Sequence, residues 1–246
     1  MNILVTILGR GGSKGVKSKN IRILNGHPLI AYTISAADLF QGDFHKDIVV
    51  SSDSPEILQV ASEYGVSHLV KRDEKTSHDQ APKWAGIKFT LEEMEEKQGK
   101  KYDYIIDLDI TSPIRSTADI KRAFHLAVKE DCNIVFSVTG AHRNPYFNMV
   151  ELDGNGYAKL VKEGNYTARQ QAPVVYDMNA SIYVYKRAVM DSFTTVFNRA
   201  KVIVMERTTD IDDEFDLLFV EFLIQNLVSS GSSYKEVVDH ISQLKK

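Results

Sequence analysis

A chain of 246 residues is long enough to bury one large core, and its 43% hydrophobic and 26% charged residues leave little room for a long disordered tract. A formal net charge of -3 gives no overall pull toward nucleic acid or an anionic membrane, so any polyanion must be held by a local cluster of basic groups. The single cysteine, Cys132, excludes an internal disulfide and, beside the apolar run from Ile134 to Val138, reads as a buried structural thiol.

The opening segment Met1 to Gly12 has too few apolar residues for a membrane span and no basic region before them, so it reads as a first strand. No other segment reaches spanning length, and the expected location is the cytoplasm. Apolar runs at Ile3 to Leu8, Ile48 to Val50, Tyr104 to Leu108 and Ile134 to Val138 predict strands buried on both faces, as in a mostly parallel sheet. Helical patterns lie between them. Pro28 suits the first helical position before Leu29 to Leu39, and Ser54-Pro55 opens a helix that Gly65 ends. Ile120, Ala123, Phe124, Ala127 and Val128 form an apolar helix stripe after a Thr117 cap, and Phe215, Leu218, Phe219, Phe222 and Leu223 repeat its spacing. Alternating strands and helices indicate a three-layer α/β fold. Turn signals between His142 and Tyr185 separate short runs such as Phe147 to Leu152. We therefore expect residues 1–246 to form one domain, with 142–185 including a β-rich extension.

The loop after the first strand carries the clearest chemistry. Gly11, Gly12 and Gly15 let backbone N–H groups approach a phosphate, Ser13 adds a hydroxyl, and Arg10, Lys14 and Lys19 supply positive charge ahead of Asn20. The spacing matches neither a Walker loop nor a dinucleotide fingerprint. Its position at a strand's carboxyl end is where ligands enter such sheets. Asp107 and Asp109, two apart on a strand, project from one face near that same end, which favours a solvated or ligand-facing location. Asp210 and Asp212 form a second such pair ahead of the last long helices, as oxygen ligands for Mg2+ or as helix caps.

Through Ile7-Leu8-Gly9-Arg10-Gly11-Gly12-Ser13-Lys14-Gly15 and the following Lys17 to Ile30, the sequence resembles the acylneuraminate cytidylyltransferase family, which makes CMP-sialic acids. The resemblance continues through Thr111 to Arg115, Arg169 to Pro173, Asn179 to Tyr183 and Asp210 to Asp212. It implies a Rossmann-like nucleotidyltransferase fold with a small β-rich dimerisation extension, a homodimer, and CTP and a nonulosonic acid as substrates. It also implies Mg2+ held by Asp210 and Asp212. By the same resemblance Arg72, Asp79, Ala81 and Lys83 surround the nucleotide, and Arg169 lies near the sugar and the reacting phosphate. Arg115 is open between a site role and bracing of its loop, and His142 is equally open. Where the sialic acid enzymes commonly read Leu-Gln-Pro-Thr-Ser-Pro, this chain reads Leu108-Asp109-Ile110-Thr111-Ser112-Pro113. Asp109 thereby replaces an amide that contacts the sugar. With Tyr176 to Ser181, this departure resembles the legionaminic acid branch, and Asp109 and Tyr176 become acceptor candidates. Arg10, Lys19 and Arg169 are the expected catalytic groups. N-acetylneuraminate or pseudaminate as acceptor, another nucleotide donor, and a non-catalytic nucleotide-binding protein are the alternatives.

Overall fold

The computed structural model describes residues 1–13, 15–73, 82–192, 197–206 and 208–245. Lys14, Asp79 and Ala81, expected to touch the nucleotide, lie outside the described residues. The strands are β1 Asn2–Gly9, β2 Ile23–Leu24, β3 His27–Pro28, β4 His45–Ser52, β5 His68–Lys71, β6 Tyr104–Leu108, β7 Ile134–Gly140, β8 Val150–Leu152, β9 Ala158–Leu160, β10 Tyr176–Lys186 and β11 Ala200–Val204. The helices are α1 Leu29–Leu39, α2 Pro55–Glu63, α3 Lys83–Gln98, α4 Thr117–Lys129, α5 Glu214–Ser229 and α6 Lys235–Leu244.

Seven strands form one sheet in the order β11-β7-β10-β6-β1-β4-β5, parallel except for β10, which runs antiparallel between β6 and β7. From β1 the chain crosses through α1 to β4 on one side, and later returns to β6 on the other. The crevice between the carboxyl ends of β1 and β6 is therefore the point where strand order reverses, the usual ligand position in open α/β sheets. The apolar runs of β1, β6 and β7 match the expected strands. β4 is longer than Ile48 to Val50, because its first residues are only partly covered and so carry no apolar signature.

One core lies between the sheet and α1, α4, α5 and α6, and Leu29 to Ala37 of α1 are all buried there. The other face is closed by Ile87, Leu91 and Met94 of α3 over Leu4, Val49 and Ile105, which completes the three layers. Cys132 is buried and unpaired, as expected.

Helix starts follow capping chemistry. Ser54 accepts from the Ile57 amide with Pro55 in the first turn of α2, and Gly65 ends that helix at φ 84°. Pro28 is the cap rather than the first helical residue of α1, since it is held in the β2–β3 ribbon opposite Ile23. At α4 the cap is Ser116, not Thr117: Ser116 Oγ accepts from the Asp119 amide at 3.2 Å while Asp119 accepts from the Ser116 amide at 3.1 Å. The larger difference lies in α5. Leu217, Val220 and Ile224 face the core, whereas Phe215, Leu218, Phe219 and Phe222 are 76%, 65%, 48% and 60% exposed. Helical periodicity locates an apolar stripe but does not say what covers it.

Residues 142–185 contain the short β8–β9 hairpin, with Val150, Leu152 and Tyr157 exposed, before β10 rejoins the main sheet. Among the described residues no helix is long and apolar enough to cross a membrane. Replacing Ser116 by Ala removes half of the α4 capping box and is expected to lower unfolding stability by about 1 kcal/mol, measured by urea denaturation.

Candidate active site

The segment after β1 is pinned at several points. The Arg72 guanidinium donates to the Gly9 carbonyl at 2.7 Å, the Gly11 amide donates to Asp53 Oδ1 at 2.8 Å, and Asn20 Nδ2 donates to the Arg10 carbonyl at 2.9 Å. Val16 is fully buried, and Lys19–Ile21 form a single 3-10 turn entered through Ser18 at φ 54°. Gly12 is exposed and Ser13 partly so, which leaves this stretch accessible between fixed points. The Gly11 amide, expected to serve a phosphate, is instead engaged by Asp53. Asn20 likewise braces the loop from a buried position. Arg72, expected beside the nucleotide, is a buried brace of the loop; its burial pulls the guanidinium below its ordinary range against the pull of Asp53 and Asp107.

The loop meets the second acidic pair at Gly15. A Cβ on Gly15 would fall 1.9 Å from the Asp212 carbonyl oxygen, so only glycine allows the two backbones to pass. Lys19 Nζ lies 3.5 Å from Asp212 Oδ1 and also donates to the Ile211 carbonyl. Asp213 caps α5, accepting from the Asp216 amide at 2.9 Å in a reciprocal box. Capping thus falls to the neighbour, and the Asp212 side chain stays 83% exposed. Between Asp210 and Asp212, Ile211 is fully buried, and its amide donates to the Thr111 carbonyl at 3.0 Å. Partial desolvation raises the Asp210 carboxyl above its ordinary range, and repulsion from Asp109 and Asp212 adds to this while Thr111 and Lys19 oppose it. Among the described residues no group of three or more His, Cys, Asp or Glu side chains is arranged to hold a metal. Two mutually repelling carboxylates suit Mg2+, which is commonly bound by one or two carboxylates plus substrate phosphates and water.

Across the crevice, Asp107 is 0% exposed, contrary to the solvated position expected for it. Thr6 Oγ1 donates to its Oδ1 at 2.9 Å, and Lys83 Nζ, from the first residue of α3, lies 2.7 Å from its Oδ2. The same ammonium donates to Asp109 Oδ2 at 2.7 Å, while Asp109 Oδ1 accepts from the Thr111 amide and hydroxyl, each at 3.0 Å. Burial disfavours the Asp109 charge, but Lys83 and Thr111 outweigh it and bring the carboxyl down to about 2. Burial also opposes the Lys83 charge, and the two carboxylates overcome it and raise that group. Arg115 is buried and donates to the Asp109 and Ser112 carbonyls, so it braces the turn after β6. β10 contributes a bulge between Met178 and Tyr183, with Ala180 at φ 54°. That irregularity brings the Ser181 carbonyl to the Asp109 amide at 3.3 Å.

The crevice therefore gathers the loop, Lys83, Asp109, Asp210 and Asp212. Arg169 and Tyr176 belong to the excursion: Arg169 is exposed and donates to the Ala141 carbonyl at 2.8 Å, Tyr176 starts β10, and His142 is exposed. Sequence reasoning missed Asp53 and Thr111. Asp53 lies just past the carboxyl end of β4, beside β1, so the strand-end rule that picked out the loop also applies to it. Gly15→Ala is expected to push the loop off Asp212 and lower turnover about a hundredfold, because small displacements of reacting groups are that costly. Steady-state kinetics beside a thermal melt checks this; unchanged turnover would mean the loop position does not matter.

The cytidylyltransferase family profile matches residues 4–236. The chain is 41% identical over 226 residues to post-translational flagellin modification protein B of Campylobacter coli, covering 91% of this chain and 95% of that protein. It is 44% identical over 225 residues to the CMP-N,N'-diacetyllegionaminic acid synthase of Campylobacter jejuni, covering 90% and 94%. Among solved structures, a CMP:2-keto-3-deoxy-manno-octonic acid synthetase complexed with CTP superposes with a TM-score of 0.69 at 15% identity, over 92% of this chain and 99% of that one, a likeness of fold. The phosphate-suited loop at the switch point, the carboxylate pair facing it and a family match spanning nearly the whole chain agree: the chain belongs to the cytidylyltransferase family and is a CTP-dependent nucleotidyltransferase.

Proposed function

We propose that the enzyme transfers CMP from CTP to the anomeric hydroxyl of a nonulosonic acid, with legionaminic acid as the acceptor. One observation carries this reading: the basic, glycine-rich loop and the Asp210–Asp212 pair are locked together through Gly15 and Lys19. A triphosphate on the loop and a divalent cation on the carboxylates would then meet in one place. The acceptor follows from Asp109 in place of the usual amide and from the 44% identity to a protein named for diacetyllegionaminic acid.

In the reaction the anomeric oxygen attacks the α-phosphorus, the bond to the bridging oxygen of the β-phosphate breaks, and pyrophosphate leaves as the hydroxyl proton is lost. Arg10 and Lys19 oppose the charge that develops on the phosphates, Ser13 and the Gly12 backbone orient the chain of phosphates, and Arg72 fixes the base of the loop. Lys14, Asp79 and Ala81 are assigned to the nucleotide by resemblance. Bound Mg2+, held by Asp210 and Asp212, would supply charge neutralisation and alignment of the phosphates. Arg169 and Tyr176 serve the sugar acid, and a guanidinium can grip its carboxylate through two parallel hydrogen bonds. The absence of a membrane-spanning helix among the described residues fits a cytoplasmic enzyme drawing on cellular CTP.

A homodimer completes this reading. The exposed stripe of α5 and the apolar hairpin residues Val150, Leu152 and Tyr157 leave large apolar side chains uncovered, the kind of surface that a second copy could bury. A second copy covering them would bring the excursion, with Arg169, toward a neighbouring site.

Mass spectrometry after incubation with CTP, Mg2+ and a panel of legionaminic, pseudaminic and N-acetylneuraminic acids should show CMP-legionaminate as the main product. Arg10→Ala should cut its formation at least about a hundredfold with the fold intact. CTP binding without any CMP-sugar would overturn the catalytic reading, and a different preferred sugar would overturn the acceptor. Light scattering should return twice the chain mass, and Phe219→Glu/Phe222→Glu should shift it to monomer. A wild-type mass of one chain at all concentrations would refute the dimer.

A further inference from the structure

The ion array of Asp107, Lys83 and Asp109 lies at the carboxyl end of β6, and its geometry limits what each member can do. The Asp107 carboxylate has no contact with solvent, so its charge depends on Thr6 and on Lys83. Both Asp109 oxygens carry donors from within the chain, Thr111 on one and Lys83 on the other. Each carboxylate oxygen has two lone-pair sites, so Oδ2 retains one for a ligand. Tyr183 lies below the ammonium, its ring centroid 5.6 Å from Lys83 Nζ. Carboxylates and ring thus enclose Lys83 on several sides while its side chain stays 36% exposed. Two of the three ammonium N–H groups are directed at Asp107 and Asp109, so Lys83 is tethered beside Asp109, and any reach toward the donor loop would weaken its hold on the buried Asp107 charge.

We propose that Lys83 is a positioning and specificity-determining residue of the acceptor half of the site. It holds Asp109 in one orientation, so that the free lone pair of the carboxylate receives an N–H or O–H of the nonulosonic acid, and it takes no part in holding CTP. This rests on the acceptor reading above and changes the role that resemblance gave to Lys83. It also explains why an acid can stand where relatives commonly carry an amide: the ammonium offsets one of the two carboxylates and fixes the direction of the other.

The test is steady-state kinetics of the full-length enzyme with CTP, Mg2+ and whichever sugar acid the wild type uses. Lys83→Met should raise the acceptor KM about tenfold or more, the cost of a misdirected charge-assisted hydrogen bond, and leave the CTP KM within about twofold. Lys83→Arg should restore much of the acceptor affinity. In an Asp109→Asn background, Lys83→Met should produce little further rise, because a residue acting through Asp109 has nothing left to position. Lys83→Met alone strands Asp107 and costs stability, so Lys83→Met/Asp107→Asn is assayed alongside it; it removes the stranded charge without restoring the hold on Asp109 and should show the same KM split. A raised CTP KM with an unchanged acceptor KM would overturn the proposal in favour of a nucleotide contact. Full additivity with Asp109→Asn, or a lower melting temperature with both KM values unchanged, would overturn it as well. A wild type that forms no CMP-nonulosonate would overturn the acceptor reading together with this proposal, whereas the preceding outcomes arise with a wild type that turns over.

Discussion

The carboxylate of Asp107 has no exposed surface and sits on β6, between β1 and β10 in the sheet. A lone buried charge is among the most expensive features a fold can contain, and it persists where partners converge on it. Thr6 of β1 provides one and Lys83 the other. Because Lys83 is the first residue of α3, after its Pro82 cap, the pair ties the start of that helix to the carboxyl end of β6. The same helix packs Ile87, Leu91 and Met94 onto the sheet. One charge thereby links a whole layer of the molecule to the edge of the crevice. It also places Asp109, two residues on, beside an ammonium already committed to its neighbour.

The donor side is built on a different economy, in which backbone atoms do most of the fixing. Asp53, Arg72 and Asn20 each engage a main-chain group of residues 9–11, and Gly15 lets the loop pass against the Asp212 carbonyl. Thr111 joins the two sides. Its amide and hydroxyl hold Asp109 while its carbonyl receives the Ile211 amide between the two exposed acids. The segment carrying Asp210 and Asp212 is therefore attached both to the loop after β1 and to the turn after β6. A displacement of any one of the three is felt by the other two.

What could be read from the sequence was local. Glycines and basic groups directly after a first apolar strand mark a phosphate loop because strand end and composition coincide within a dozen residues. The strand runs and the start of α2 were legible for the same reason. The Ser116–Asp119 box was also present as a local pattern, and Thr117 was preferred only because it adjoins the stripe. The rest depends on pairs distant in sequence. Arg72 was assigned to the nucleotide by resemblance alone, since nothing local announces that its guanidinium reaches the Gly9 carbonyl 63 positions away. Lys83 and Asp109 are 26 apart, and neither residue alone announces an ion pair. The stripe of α5 was correctly periodic, but a repeat of 3.6 cannot distinguish a face buried by its own chain from one left outside it.

The same contacts leave the negative charge on both sides of the crevice only partly offset. Asp210 carries a raised carboxyl because desolvation and neighbouring acids work against its charge, and Lys19 offers Asp212 only a contact at 3.5 Å. A bare triphosphate entering the loop would meet these carboxylates across a short gap and be repelled. A triphosphate that brought its own divalent cation would present positive charge to the acids and negative charge to Arg10 and Lys19 at once. On the other side Asp107 and Asp109 together carry more charge than Lys83 alone offsets, so that ledge suits a donating N–H or hydroxyl rather than another anion.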